Sequence, residues 1–418
     1  MPDTPKSSQG HTRGHAASAS ADRTVYERLA RHMSALGMGL PYRDELVDIL
    51  EANLTPEEAE VALLLPNRVA PFEVLSAQKV ADRSSRRPDE VLPHLESLAA
   101  KHLLFTHPTG TGEQGYALHQ AGYGFPQVFH WGGQATEHAA RMAGMVGRYA
   151  DRNVTIEMYG ETPTKPYRYV PPKEAVPGPH DDMADRHADT SDEAHTVPGR
   201  DMEAVPGEGE REIVYPYDTM EKIVGQARRF AVAHCTCRMA RRLLGRECGH
   251  PLEVCMKFDD LADYLIEHGL GREITREEAL EVVRVSEEAG LVHFVDNCAG
   301  DLRHNCNCCG DACWNVGNIR RRRIPRDLIM ATYFLRETDK DGCSGCGVCA
   351  EICPVACVEM VESLPVIDDQ WCIGCGVCVH KCPENAARLR VRDDVDGELP
   401  ADFAELHERI LREKDYRK

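Results

Sequence analysis

Cysteine is missing from the first 234 residues of this 418-residue chain, and all 18 cysteines fall between Cys235 and Cys382. Thiol chemistry is therefore excluded from the first half. Aromatic residues make up only 6% and mean hydropathy is −0.43, which suits small modules joined by polar linkers rather than one large barrel or sandwich. Long apolar runs are lacking too. The longest, Val61 to Leu65, is far short of the ~20 residues that span a bilayer. Bases are in deficit, 49 Lys and Arg against 68 Asp and Glu for a net charge of −19, whereas a dedicated nucleic-acid binder carries a strongly basic domain. The opening MPDTPKSSQGHTRGHAASAS has no apolar core, so neither a secretory signal nor a membrane anchor is expected there, and the expected address is cytoplasmic. In a reducing compartment disulfides are rare, and clustered cysteines point to metal ligands or redox centres. There is no G-x-G-x-x-G opening a helix, no G-x-x-x-x-G-K-[ST] and no G-x-S-x-G, so flavin, nicotinamide and nucleotide sites are not indicated.

What is present divides into segments. Residues 1–22, rich in Ser, Ala, His and Thr without periodicity, are expected to be a disordered tail. From Arg23 the pattern is helical. Thr55-Pro56-Glu57-Glu58 is a capping box with Pro at the first helical position, ahead of an apolar run ending at Leu65. Pro88 opens a second helix with Val91, Leu92, Leu95, Leu98 and Ala99 on one face. Leu103 to Thr106 and Tyr116 to His119 then flank a Gly-rich turn and read as a hairpin. Helix, helix, hairpin is the order of a winged helix, so residues 23–150 are expected to form a mostly helical, winged-helix-like domain. Residues 151–216 are expected to be an extended acidic linker, since 172–210 holds eleven acidic residues against three basic ones. A cysteine-rich α/β module is expected over 217–336, with a capping box at Thr275-Arg276-Glu277-Glu278 starting a helix inside it. Residues 337–392 are internally repeated. In the final segment, 393–418, Phe403, Leu406, Ile410 and Leu411 fall on one face of a helix expected to dock on the body or on a partner. The fold class expected is α+β.

The strongest chemical signal is a doubled C-x2-C-x2-C-x3-C-P run: Cys343, Cys346, Cys349, Cys353 and Pro354, then Cys372, Cys375, Cys378, Cys382 and Pro383. This spacing lets three thiolates wrap one cubane while the fourth crosses to the other. Gly345, Gly347, Gly374 and Gly376 sit between ligands, where a tight curl and close backbone approach to sulfur need them. Two zinc knuckles would leave the third cysteine of each run without a role. Residues 337–392 thus resemble a bacterial-type ferredoxin with two [4Fe-4S] clusters. The resemblance implies that Cys343, Cys346, Cys349 and Cys382 hold one cluster, and Cys372, Cys375, Cys378 and Cys353 the other. Cys357 is expected to be a small buried side chain.

The middle region carries Cys235, Cys237, Cys248 and Cys255, then Cys298 alone, then Cys306, Cys308, Cys309 and Cys313. Four thiolates suit a cubane. The two groups of four permit one or two further clusters, and the groups equally well contribute two ligands each to one site. Structural zinc in either quartet, free buried cysteines and a redox pair at Cys308-Cys309 are the alternatives. Arg238, Arg241, Arg242 and Arg246 are placed to offset a cluster's negative charge, or else form a solvated helix face. Arg320, Arg321, Arg322 and Arg323, with Arg326, form the densest basic run and are a candidate docking site for an acidic redox partner.

The function expected is an iron–sulfur electron-transfer protein or subunit, relaying single electrons between a low-potential donor and a partner redox enzyme. More broadly the chain looks like multidomain, cytoplasmic, anaerobe-type proteins that set a winged-helix-like region and a cysteine-rich module ahead of a two-cluster ferredoxin domain. One alternative is a substrate-reducing enzyme with an open cluster in the middle module, beside which His234 or Asp311 would act. Another is a cluster-based redox-sensing transcription regulator, against which the reading helix counts: Asp89, Glu90 and Glu96 oppose Lys101 alone.

Overall fold

In a computed structural model of the chain, the structure describes residues 13–160, 162–176, 219–395 and 398–416. Helix and sheet are mixed throughout, as α+β implies. The first helix, Arg13–Ser34, begins inside the stretch expected to be disordered. Asp44–Glu51 and Pro56–Ala62 follow. The Thr55 capping box forms: Thr55 Oγ1 accepts from the Glu58 N–H at 3.2 Å and Glu58 Oε2 accepts from the Thr55 N–H at 2.8 Å. Glu58 is 3% exposed, and its carboxylate is met by Lys101 Nζ at 2.7 Å and Ser97 Oγ at 2.7 Å. One buried anion thus ties the helix start to the helix Pro88–Ala100. Strands β1 (Leu75–Ser76), β2 (Leu104–Pro108) and β3 (Gln114–Leu118) make a three-stranded sheet in the order β1-β3-β2.

The largest sheet has seven strands: β4 (Tyr167–Val170), β5 (Phe230–His234), β6 (Glu253–Phe258), β7 (Arg272–Glu273), β8 (Val292–Asp296), β9 (His304–Cys308) and β10 (Met330–Ala331), in the order β10-β4-β8-β9-β6-β5-β7. Only β10 and β4 run parallel. The linker expectation fails over its first part. Arg152–Gly160 is a helix, and β4 is a fully buried interior strand of this sheet, so the sheet is not confined to 217–336. The four-residue strand is bracketed by Pro163, Pro166, Pro171 and Pro172, which hide so short an apolar alternation. Residues 177–218, the rest of the expected linker, lie outside the described residues. β11 (Phe334–Thr338) pairs with β14 (Ala387–Val391), and β12 (Val358–Val361) pairs with β13 (Leu364–Ile367).

One buried cluster runs from Val25 through Val232 and Cys353 to Ile410, so these parts share a core. The helix Phe403–Glu413 docks on it with Phe403, Leu406, Ile410 and Leu411 buried, the face that the sequence periodicity marks. A polar chain joins the three regions at this point: His407 Nε2 lies 3.2 Å from Tyr123 Oη, which donates to Asp296 Oδ1 at 2.8 Å. Asp296 Oδ2 accepts the N–H groups of Arg303 and His304 at 2.7 and 2.9 Å, fixing the start of β9. Burial holds His119 and His407 down at about 3. An unfolded histidine takes a proton near 6.5, so the unfolded state binds more protons than the native one between these values. Stability should therefore fall as pH drops from about 6.5 towards 3, by about 1.4 kcal/mol per pH unit for each histidine. Thermal unfolding of the anaerobic protein between pH 7.5 and 5.5 checks this, and His407→Gln should make the decline shallower.

Candidate metal centres

The two ferredoxin-like runs fold alike. Gly347 and Gly376, at φ +80° and +71°, each start a short helix, Val348–Ile352 and Val377–His380. Gly374 is needed sterically as well, because a Cβ there would come within 2.1 Å of the Phe334 carbonyl oxygen. Cys343, Cys346, Cys349 and Cys382 line a single cavity together with Arg336. That is the first ligand set implied by the resemblance. In the second, Cys372, Cys375, Cys378 and Cys353 are buried, and Cys357 joins them: its Sγ is 3.6 Å from that of Cys353. Contact with Cys357 draws Cys353 down to about 6 and Cys372 to about 7, while Cys357 itself is pushed up by the same two contacts. Cys357 is buried, as expected, but it lies among the thiols of the second site. Its i+4 spacing from Cys353 was the available signal.

The middle region regroups the cysteines. Alternation along β6 and β9 puts Cys255 with Lys257, and Cys306 with His304, on one face. The β6–β9 register pairs Met256 with Asn305 and Lys257 with His304, which sets Cys255 opposite Cys306, Sγ to Sγ 3.9 Å. Cys235 stands at the N-terminus of the helix Thr236–Leu243 and Cys237 lies in its first turn, where contact with Cys237 and then burial push the Cys235 thiol up. Contacts with Cys255 and then Cys308 hold Cys306 well below the usual thiol range, and Cys237 and then Cys308 draw Cys313 down to about 5. Six sulfurs, from Cys235, Cys237, Cys255, Cys306, Cys308 and Cys313, therefore form one continuous array drawn from both sequence groups. Cys248 and Cys309 stand apart as a pair with Sγ atoms 3.8 Å apart. Cys298 is remote from both, donating to the Gly300 carbonyl at 3.2 Å.

Three buried cations face these sulfurs: Arg238, 2% exposed, Lys257, fully buried, and Arg336, 4% exposed. Lys257 Nζ donates to Cys255 Sγ at 3.2 Å. Arg238 Nη1 donates to the Asn307 carbonyl at 3.1 Å, while its buried Nε and Nη2 are left without an oxygen or nitrogen partner. Burial works against the charge on Arg238, but Cys235, Cys308 and Cys309 outweigh it and raise its pKa. Arg336 stands between the two ferredoxin-like sites. Burial pushes Cys349 up and Cys378 up to about 12, and Arg336 opposes both shifts. Among the described residues none of the three has a carboxylate in ion-pair range. Arg303 and Arg392, also buried, do: Asp260 lies 3.2 Å from Arg303 and Asp327 3.0 Å from Arg392. A buried cation needs a counter-charge, and an anionic cluster on these thiolates would supply it. Soft donors, a cavity and unpaired guanidinium N–H groups together fit iron–sulfur ligation.

The remaining basic residues have other work. Arg241 donates to the carbonyls of Arg246 and Asp311, and Arg242 meets Glu247 at 3.6 Å on the surface. The run Arg320 to Arg323, expected as a docking site, is largely engaged with the chain itself. Arg320 donates to the Cys353 carbonyl at 3.0 Å, and Arg322 to those of Val355 and Ala356 at 2.8 and 2.7 Å. Arg321 donates to the Asp311 carbonyl at 3.2 Å, and Arg326 to that of Cys372 at 2.9 Å. These arginines clamp the loops that carry Cys353 and Cys372, a role that charge density alone did not reveal. His234 packs against Gly133, where a Cβ would meet its ring at 2.4 Å. Asp311 lies 3.8 Å from His250.

Residues 365–388 match the family model of the 4Fe-4S binding domain. No match was found among curated proteins or among solved structures. The matched segment contains Cys372, Cys375, Cys378 and Cys382, so 4Fe-4S binding is the chemistry of this part of the chain. No helix of the described residues is long and apolar enough to cross a membrane.

Replacing Arg336 by Met should lower the midpoint potentials of both ferredoxin-like centres by about tenfold in the reduction equilibrium, 59 mV for one electron, with iron content unchanged. Arg336→Lys should keep them near the wild-type values. EPR-monitored potentiometry checks both.

Proposed function

We propose that the chain is an iron–sulfur electron-transfer protein or subunit, relaying single electrons between a low-potential donor and a partner redox enzyme through two ferredoxin-like clusters and one cluster of the middle module. The observation that carries this reading is contiguity. Arg336 bridges the first and second ferredoxin-like sites. Next to Cys309, Gly310 lies so close to Pro354, the neighbour of Cys353, that a Cβ would come within 2.1 Å of the Pro354 carbonyl oxygen. Tyr169 is buried between Cys313 of the middle array and Cys375 of the second site, near enough to feel both charges. Its hydroxyl is fixed by Asn315 Nδ2 at 2.9 Å. Three sulfur-lined sites in succession suit stepwise transfer, in which the protein supplies spacing and electrostatics while the clusters do the chemistry. Cys343, Cys346, Cys349 and Cys382 would hold the first cluster, and Cys353, Cys372, Cys375 and Cys378 the second. The third would take four thiolates of the six-sulfur array.

Protein isolated without air should carry about 12 iron per chain with matching sulfide, and show interacting EPR signals on reduction. Cys343→Ser and Cys308→Ser should each remove about four iron, independently of one another. Colourless protein without iron would overturn the proposal, and about eight iron, unaffected by Cys308→Ser, would remove the middle module from the relay.

A further inference from the structure

Cys308 and Cys309 are neighbours in sequence, and strand alternation sends them to opposite sides of the sheet. Cys308 joins the six-sulfur array. Cys309 instead packs with Val254, Leu291 and Ala312 in a separate cluster, against Cys248. There the Cys248 and Cys309 sulfurs are 3.8 Å apart, and a ring nitrogen of His250 lies with them inside a 4.8 Å span. Two thiolates on one tetrahedral zinc, at 2.3 Å each, stand about 3.8 Å apart.

Two details around the trio are those of a metal–thiolate site. The Ala312 N–H donates to Cys309 Sγ at 3.3 Å, a backbone hydrogen bond that favours thiolate. Asp311 Oδ2 stands 3.8 Å from His250 Nδ1. At that distance the pair is not a hydrogen bond; metal binding through Nε2 would draw the Nδ1–H toward this carboxylate, as in carboxylate–histidine–metal triads. The similar trio Cys255, His304 and Cys306 lacks this geometry. His304 Nε2 is only 2.9 Å from Cys306 Sγ, a hydrogen bond, whereas ligands sharing a zinc through N and S are about 3.6 Å apart. Lys257 also occupies the space beside Cys255.

We propose that Cys248, His250 and Cys309 bind one zinc ion, separate from the iron–sulfur clusters, with Asp311 as a positioning residue and a fourth coordination position left open. Cys248 and His250 are both partly exposed, so the open position faces the surface, where water or a small ligand completes the tetrahedron. Three protein ligands with an open position are the pattern of reactive zinc rather than of closed structural zinc.

The site is independent of the relay, and metal counts separate the two. Holoprotein made with zinc in the medium should contain one zinc per chain beside its iron. His250→Gln and Cys248→Ser should each lower zinc at least fivefold and leave iron unchanged. Asp311→Asn should weaken zinc affinity about 10–100-fold in competition with a chromophoric chelator. Cobalt exchanged into the wild type should show thiolate charge-transfer absorption that His250→Gln alters. Wild-type protein that neither contains zinc nor takes up one added equivalent would overturn the proposal. So would retention of zinc by His250→Gln, or loss of iron with zinc in Cys248→Ser.

Discussion

Positive charge buried without a carboxylate is the constraint on which the cysteine-rich half depends. Arg238, Lys257 and Arg336 are nearly or wholly removed from water, and among the described residues sulfur is the source of negative charge beside them. Leaving an ion unpaired in the interior costs several kcal/mol. Such a fold is sound only when the thiols are anionic, and metal ligation is the ordinary means of keeping many adjacent thiols deprotonated. Arg303 and Arg392 are the contrast within the same molecule, since each has its own aspartates and neither faces a cysteine site.

The sulfurs meet because of strand register. The β5–β6 and β6–β9 pairings bring the end of β5, the middle of β6 and the middle of β9 side by side. Cys235, Cys255 and Cys306 arrive from segments up to about seventy residues apart. A slip of one residue would turn Cys255, Lys257, His304 and Cys306 to the other face together. The anchoring of β9 by Asp296, itself held by Tyr123 and through it by the C-terminal helix, therefore sets the geometry of a site to which none of those residues belongs.

Local signals were legible in the sequence and long-range pairings were not. The two C-x2-C-x2-C-x3-C runs, the capping boxes at Thr55 and Thr275 and the apolar face of residues 403–411 are rules of short spacing, and each is found in the structure. Two readings needed the fold. The proline-bracketed strand 167–170 is too short to display its alternation, yet it lies inside the sheet. The cysteines of the middle region sort by sheet face, so that Cys308 parts from Cys309 and joins Cys237 and Cys313. The arginine run is exposed, and charge density alone says nothing of the carbonyl oxygens it also reaches. Arg320 and Arg322 find those oxygens on the loop after Cys353.

Charge also bears on how many clusters the middle module can hold. A [4Fe-4S] centre with four thiolates is a dianion in its oxidised form. Among the described residues Arg238 and Lys257 are the two cations buried against the six-sulfur array, enough to neutralise one such centre and not two. In the proposed reading four of the six sulfurs would be ligands, and the other two would stay protonated or share hydrogen bonds with His304 and Lys257, which touch Cys306 and Cys255. Reduction would add a further negative charge to a site already at balance. Its nearest relief is the row of arginines between the middle array and the second ferredoxin-like site, where Arg321 reaches the Asp311 carbonyl and Arg320 the Cys353 carbonyl. Those residues hold the two sites in register, and they place positive charge along the side on which an electron would pass between them.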